Sequence, residues 1–133
     1  MKITRIEGIG SVYARHLNEE GIRTTEMLLK NAATRSGRKK LAEKMGIPEK
    51  TILNWVNRAD LMRVKGVGEE YSDLLEAAGV DTVRELGTRR PENLYKKMLD
   101  INNQKKLVRR VPPLKLVERW VVNAKDLVPL ITH

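Results

Sequence analysis

The sequence predicts an all-α protein built from two tandem copies of one helical unit. Three observations predict this class. The 133 residues repeat internally, their apolar residues recur at helical spacing, and no stretch shows the sustained alternation or turn dipeptides of paired strands. Each copy, at about 65 residues, would be marginally stable alone. We therefore expect the copies to share packing as one compact pseudo-symmetric domain.

The internal repeat becomes visible when the sequence is shifted by 58 residues, which aligns residues 6–29 with residues 64–87. The identical pairs are Gly8/Gly66, Gly10/Gly68, Tyr13/Tyr71, Leu17/Leu75, Gly21/Gly79, Thr24/Thr82 and Leu28/Leu86. Further on the match resumes with an offset of 65, where Trp55 aligns with Trp120. The second copy has therefore gained seven residues, which we place around residues 102–110. The predicted copies span residues 1–62 and 63–133.

The first two helices of the first copy are predicted from an apolar pattern and two helix-end signals. Tyr13 and Leu17 recur at helical spacing, and Gly21 suits the end of that helix. Thr24 can cap a second, short helix that runs to about Lys30. Thr82 repeats this capping role in the second copy.

Two longer helices complete each copy. In the first copy, Thr34 or Ser36 begins a helix that Gly46 ends, and Pro48 suits the first turn of the next. That last helix carries Trp55 on an apolar face, so we expect this tryptophan to be part of the core. The second copy repeats the pattern from Pro91 and closes with a helix from Pro113 to about Leu127.

A Gly-apolar-Gly segment precedes the first helix of each copy, at Gly8-Ile9-Gly10 and at Gly66-Val67-Gly68. Two glycines permit a tight turn, and they expose backbone N–H groups where the helix dipole is positive. A phosphate can bind at such a place without side-chain chemistry. We expect the middle residue, Ile9 or Val67, to anchor the turn in the core.

These segments, with the capped helices that follow them, resemble the helix-hairpin-helix domain of DNA recombinase N-termini and repair proteins. The tandem arrangement is similar to an uncharacterised family of paired helix-hairpin-helix proteins with no assigned function. The resemblance implies that Gly8, Gly10 and Ser11 hold phosphate, with Arg15 one turn further along. The second copy departs from the family pattern, because Glu69 and its neighbour Glu70 follow Gly68 and occupy the positive helix end. We therefore interpret Gly66, Val67 and Gly68 as a structural turn.

The net charge of +9 is concentrated outside the turns. Residues 30–50 carry seven basic and two acidic residues, and residues 88–125 carry eleven and three. Residues 60–87 carry three basic and seven acidic residues. The first basic cluster comprises Arg35, Arg38, Lys39, Lys40 and Lys44, and the second comprises Lys105, Lys106, Arg109 and Arg110. If residues 103–110 are helical, the second cluster lies on one face of that helix.

Charge and resemblance together predict a non-enzymatic protein that binds nucleic acid, most simply duplex DNA through its backbone phosphates without sequence preference. One alternative is an adaptor with the same fold that binds other proteins. Another is a helix-turn-helix over residues 41–55, in which Glu49, Lys50, Thr51 and Asn54 face the major groove.

Other function classes lack their residues. There is no cysteine, and no catalytic triad, Walker loop or metal-ligand spacing occurs, so we expect no catalytic residue, metal, cofactor or small-molecule substrate. His16 is interpreted as an exposed or half-buried polar residue. No charge-free run exceeds seven residues, and we expect no membrane segment or signal peptide and a cytoplasmic location.

Overall fold

The computed structural model describes residues 1–133, and its regular secondary structure is all helical. A short 3-10 helix, Ile3–Arg5, precedes eight α-helices. These are α1 (Ser11–Glu19), α2 (Thr25–Ala32), α3 (Arg35–Met45), α4 (Glu49–Leu61), α5 (Glu69–Ala77), α6 (Val83–Gly87), α7 (Pro91–Lys105) and α8 (Leu114–Asp126). An isolated bridge between Lys2 and Thr24 is the only β-type pairing. The predicted all-α class is confirmed.

The contacts of the chain separate into two units. The first unit consists of Met1–Asp60 together with Leu130–His133, and the second unit consists of Leu61–Pro129. The last four residues thus pack with the beginning of the chain, although the repeat alone groups them with the second copy. A hydrogen bond of 2.9 Å from the Thr132 amide to the Ala33 carbonyl helps to hold them there.

In the first unit, α2 and α3 begin at residues that carry capping side chains. The Thr24 hydroxyl accepts a hydrogen bond of 3.1 Å from the Met27 amide at the start of α2. The Thr34 hydroxyl accepts one of 3.1 Å from the Gly37 amide at the start of α3, so Thr34 rather than Ser36 is the cap. Gly46 adopts a left-handed φ of 67° and ends α3.

The second unit has its own apolar core. Its fully buried side chains include Leu75, Leu86, Met98 and Trp120, and α6 and α7 both pack against α8. Thr82 caps α6 as predicted, by accepting a hydrogen bond of 3.2 Å from the Glu85 amide. Burial of this apolar surface is the main favourable contribution to the free energy of folding.

The end of α7 differs from the sequence expectation. The helix stops at Lys105, and Lys106 has a left-handed φ of 51°, so residues 103–110 do not form one helix. The cause is local, because the Asn102 side chain donates a hydrogen bond of 3.0 Å to the Val108 carbonyl. It also accepts one of 2.9 Å from the Val108 amide. Because these two bonds close a loop over the end of α7, the residues after Lys105 do not continue the helix.

Candidate nucleic-acid interface

The first turn, at residues 8–10, is anchored in the core by buried apolar residues. Ile6 and Ile9 are 1% and 4% exposed, and the Ile9 amide donates a hydrogen bond of 3.1 Å to the Ile6 carbonyl. Gly8 has a φ of 94°, which favours glycine, and Gly8 and Gly10 are exposed. The Ile9 side chain is therefore an anchor, as expected, and only the outer edge of the turn is accessible to a ligand.

A tryptophan packs beneath each glycine turn. Trp55 is 3% exposed, and a Cβ added to Gly8 would lie 3.4 Å from its indole nitrogen. Trp120 is fully buried, and a Cβ added to Gly66 would lie 3.2 Å from its indole nitrogen. Each indole also packs against a tyrosine, with ring centroids 5.2 Å apart in both units. The predicted core position of both tryptophans is confirmed, and at Gly66 the approach of 3.2 Å adds a second reason for glycine.

The start of α1 leaves backbone donors free. Gly10 is the N-cap residue and supplies no side-chain acceptor, and the first turn of α1 contains no acidic residue. The first helical hydrogen bond runs from the Ala14 amide to the Gly10 carbonyl, at 2.9 Å. The amides of Ser11, Val12 and Tyr13 consequently donate to no acceptor in the protein. These donors point out of the positive end of the helix, beside the exposed turn.

The corresponding helix start in the second unit has a different charge. Gly68 is again the N-cap without a side-chain bond, but Glu69 and Glu70 lie in the first turn of α5. The turn before it is braced by the Asn123 side chain, which accepts a hydrogen bond of 3.0 Å from the Lys65 amide. Val67 is 3% exposed and anchors this turn. Two carboxylates beside the helix end oppose a phosphate at this position.

Arg38 does not belong to the surface cluster in which the sequence placed it. Its side chain is only 4% exposed, and its Nη1 donates hydrogen bonds to the carbonyls of Ala32 (3.1 Å) and Ala33 (2.8 Å). Its Nη2 donates to the Thr132 carbonyl. Burial lowers the pKa of the Arg38 guanidinium from its usual value; nearby Glu49 opposes that shift, and nearby Arg35 adds to it. Arg38 therefore donates hydrogen bonds to the carbonyls at the end of α2, and its bond to Thr132 holds the C-terminal residues against the first unit.

A signal for this burial is present in the sequence. Arg38 precedes Leu41, Ala42 and Met45 by three, four and seven residues, and all three of these residues are buried. That spacing places Arg38 on the apolar face of α3. Sequence reasoning that counts charges without helical positions therefore misses it.

The other cations of the first cluster have separate environments. Arg35, Lys39 and Lys40 are exposed and form no ion pair or hydrogen bond through their side chains. Lys44 lies 3.6 Å from the Glu20 carboxylate, which offsets part of its charge. Arg15, on α1, is exposed and has no acidic partner. The first unit thus presents four unpaired cations from the predicted set.

The second cluster lies on a helix end and a loop instead of a helical face. Lys105 is the last residue of α7, Lys106 is its C-cap, and Arg109 and Arg110 lie in the bend that follows. All four are exposed and have no acidic partner. The cations are therefore available to a polyanion, but the predicted common helical face is wrong.

Two further observations concern the whole chain. None of its helices combines the length and apolar character needed to cross a membrane. Its histidine, aspartate and glutamate side chains form no group of three that could hold a metal ion.

Comparison with known proteins identifies a family but no activity. Residues 7–127 match a family described as a domain of unknown function (DUF4332). The match extends from the first turn to the residue after α8 and includes residues of both units. No curated protein and no solved structure matches the chain.

Proposed function

The chain belongs to the DUF4332 family, a domain of unknown function, and we propose from its own residues that it is a helix-hairpin-helix protein that binds nucleic acid. In this proposal it holds the phosphates of duplex DNA without reading the base sequence. The free amides at the start of α1 are the observation that carries the proposal.

Those amides form a suitable phosphate site for two reasons. Ser11, Val12 and Tyr13 present N–H donors that no group of the protein uses, at the positive end of a nine-residue helix. The exposed Gly8 and Gly10 have no side chains that would keep a phosphate oxygen away from this backbone. Contacts from backbone amides to phosphates position a protein on DNA, but they carry no base information.

Unpaired cations supply the attraction over longer distances. Arg15, Arg35, Lys39 and Lys40 serve this purpose in the first unit, and Lys105, Lys106, Arg109 and Arg110 serve it in the second. Each cation that neutralises a phosphate releases bound counterions from DNA, and it steepens the salt dependence of the affinity. The buried Arg38 is not one of these exposed cations, and the charge of Lys44 is partly offset by Glu20.

Fluorescence anisotropy with a labelled duplex of about 30 base pairs, at about 50 to 300 mM salt, tests the proposal. We expect the logarithm of the affinity to fall linearly with the logarithm of the salt concentration. The variant R15E/K39E/K40E should bind at least about tenfold more weakly at low salt. A variant with the same change in net charge at other exposed residues, R84E/R119E/K125E, should lose clearly less. Absent binding, salt-independent binding or equal losses would contradict the proposal.

One surface favours the alternative function, binding to another protein. The outer face of α8 lines a groove of about 590 Å³, where Val122 is 61% exposed between Glu118, Arg119 and Asp126. In a protein contact, Val122 would be the apolar centre of a patch with a charged rim. Partners captured from cell extract that survive nuclease treatment and are lost in Val122→Asp would favour this adaptor function.

A further inference from the structure

A cleft in the first unit gathers charged residues that lie apart in the sequence. It is lined by Arg35, Arg38, Glu49, Lys50, Leu53 and His133. These residues come from α3, from α4 and from the C-terminal segment that packs with this unit. The cleft has a volume of about 310 Å³.

The positive charges of this cleft exceed its negative ones. Arg35 and Lys50 are exposed, and their side chains form no ion pair or hydrogen bond. The buried Arg38 guanidinium bonds only to backbone carbonyls, which leave its full charge in place. Glu49 is the one acidic side chain of the lining, and His133 adds its terminal carboxylate, so three cations face two carboxylates.

We propose that this cleft binds a phosphate group between Arg35 and Lys50, with Arg38 as its buried positive wall. Arginine and lysine are the side chains that proteins use for phosphate, the first as a planar fork and the second as a point charge. Glu49 and Lys50 also form the first turn of the 13-residue helix α4, whose positive end adds to the attraction. A phosphate would balance the excess charge that Glu49 and the terminal carboxylate of His133 leave.

The phosphate could belong to a nucleic-acid backbone or to a free anion. The first source rests on the proposed function and adds a contact to it, at a place separate from the turn at residues 8–10. The second source does not depend on the proposed function. Both sources present the same oxygens to the cleft, and two titrations distinguish them.

The first titration follows the full chain by NMR as inorganic phosphate is added at constant ionic strength. We expect saturable shifts of the backbone amides of residues 49–51 and of the Arg38 Nε–H signal. The variant R35Q/K50Q should bind phosphate at least about fivefold more weakly. The matched variant R23Q/K30Q removes two exposed charges of the same unit outside the cleft and should stay within about twofold of the wild type. No saturable shift, or equal affinity in R35Q/K50Q and the wild type, would overturn the proposal.

The second titration measures binding of duplex DNA to the same variants. A larger loss of affinity in R35Q/K50Q than in R23Q/K30Q would assign the cleft to backbone phosphate. Equal losses, with phosphate binding intact, would assign it to a free anion. If the protein binds phosphate but not DNA, the proposed function is wrong and the phosphate site in the cleft is supported. If it binds DNA but not phosphate, only the proposed phosphate site is wrong. Because Arg35 and Lys50 are exposed and unpaired, their replacement should leave the helical circular dichroism unchanged.

Discussion

Replacing Gly10 with aspartate should separate stability from nucleic-acid binding. Gly10 has a φ of −86°, which any residue adopts, and no heavy atom lies within 4 Å of a Cβ built there. The new carboxylate can accept hydrogen bonds from the free amides of Val12 and Tyr13, as aspartate does at N-caps. It then occupies, with a negative charge, the place that we propose for a phosphate.

The two effects of Gly10→Asp have opposite signs. The cap and its interaction with the helix dipole should raise the free energy of unfolding by about 0.5–1 kcal/mol. The loss of charge-assisted bonds to one phosphate, worth about 1.5–3 kcal/mol, should weaken DNA binding by about 10- to 150-fold. The slope of log affinity against log salt should become shallower by about 0.9 for that lost phosphate.

Gly68→Asp is the matched control, and thermal melting with DNA anisotropy is the assay. Gly68 also has a negative φ, −109°, and open space for a Cβ, but α5 already begins with Glu69 and Glu70. We expect this variant to change DNA affinity by no more than about twofold. The reasoning is refuted if Gly10→Asp melts at or above the wild-type temperature and still binds DNA equally well. It is also refuted if both variants lose the same affinity.

Three further predictions concern stability and are checked by urea denaturation followed by circular dichroism. Gly37→Ala should lower the free energy of unfolding by about 1–3 kcal/mol, because the new Cβ would overlap the Asn31 backbone oxygen. This loss should exceed the gain from the better helix propensity of alanine. A higher free energy of unfolding would refute the close approach. Arg38→Met should lower the free energy of unfolding by about 2–4 kcal/mol, because three carbonyls lose their charged donor. A change under about 0.5 kcal/mol would contradict a structural role for Arg38. Asn102→Ala should lower the free energy of unfolding by about 1–2 kcal/mol, because both hydrogen bonds to Val108 are lost. Unchanged stability would show that these bonds do not hold the loop.

The parts of the fold that the sequence predicts correctly depend on short-range chemistry. The caps at Thr24, Thr34 and Thr82 each involve an amide three residues away. Gly46 ends a helix because glycine adopts the left-handed conformation without steric cost. Such interactions are complete within a few residues, so their signals survive in the linear sequence.

The parts that sequence reasoning misses depend on distant neighbours or on a bond that competes with the helix. The bond from Arg38 to the Thr132 carbonyl joins residues 94 positions apart, and no local pattern predicts it. The end of α7 depends on the Asn102 side chain, which bonds to Val108 and so competes with helical continuation. Counting charges locates a basic segment, but it does not distinguish an exposed cation from a buried one.

Some parts of the candidate sites can likewise be predicted from the sequence, and others only from the tertiary structure. The glycine turns, their anchors and the difference in acidity between the two helix starts follow from the residues alone, because a turn and the helix after it are contiguous. The cleft of Arg35, Arg38 and Lys50 exists only in the tertiary structure, which brings the starts of α3 and α4 together with the last residue of the chain. By itself, the sequence determined an all-helical chain and the amount and sign of its charge. Packing decided which of those charges water can reach, because burial depends on what covers a side chain and not on its own chemistry.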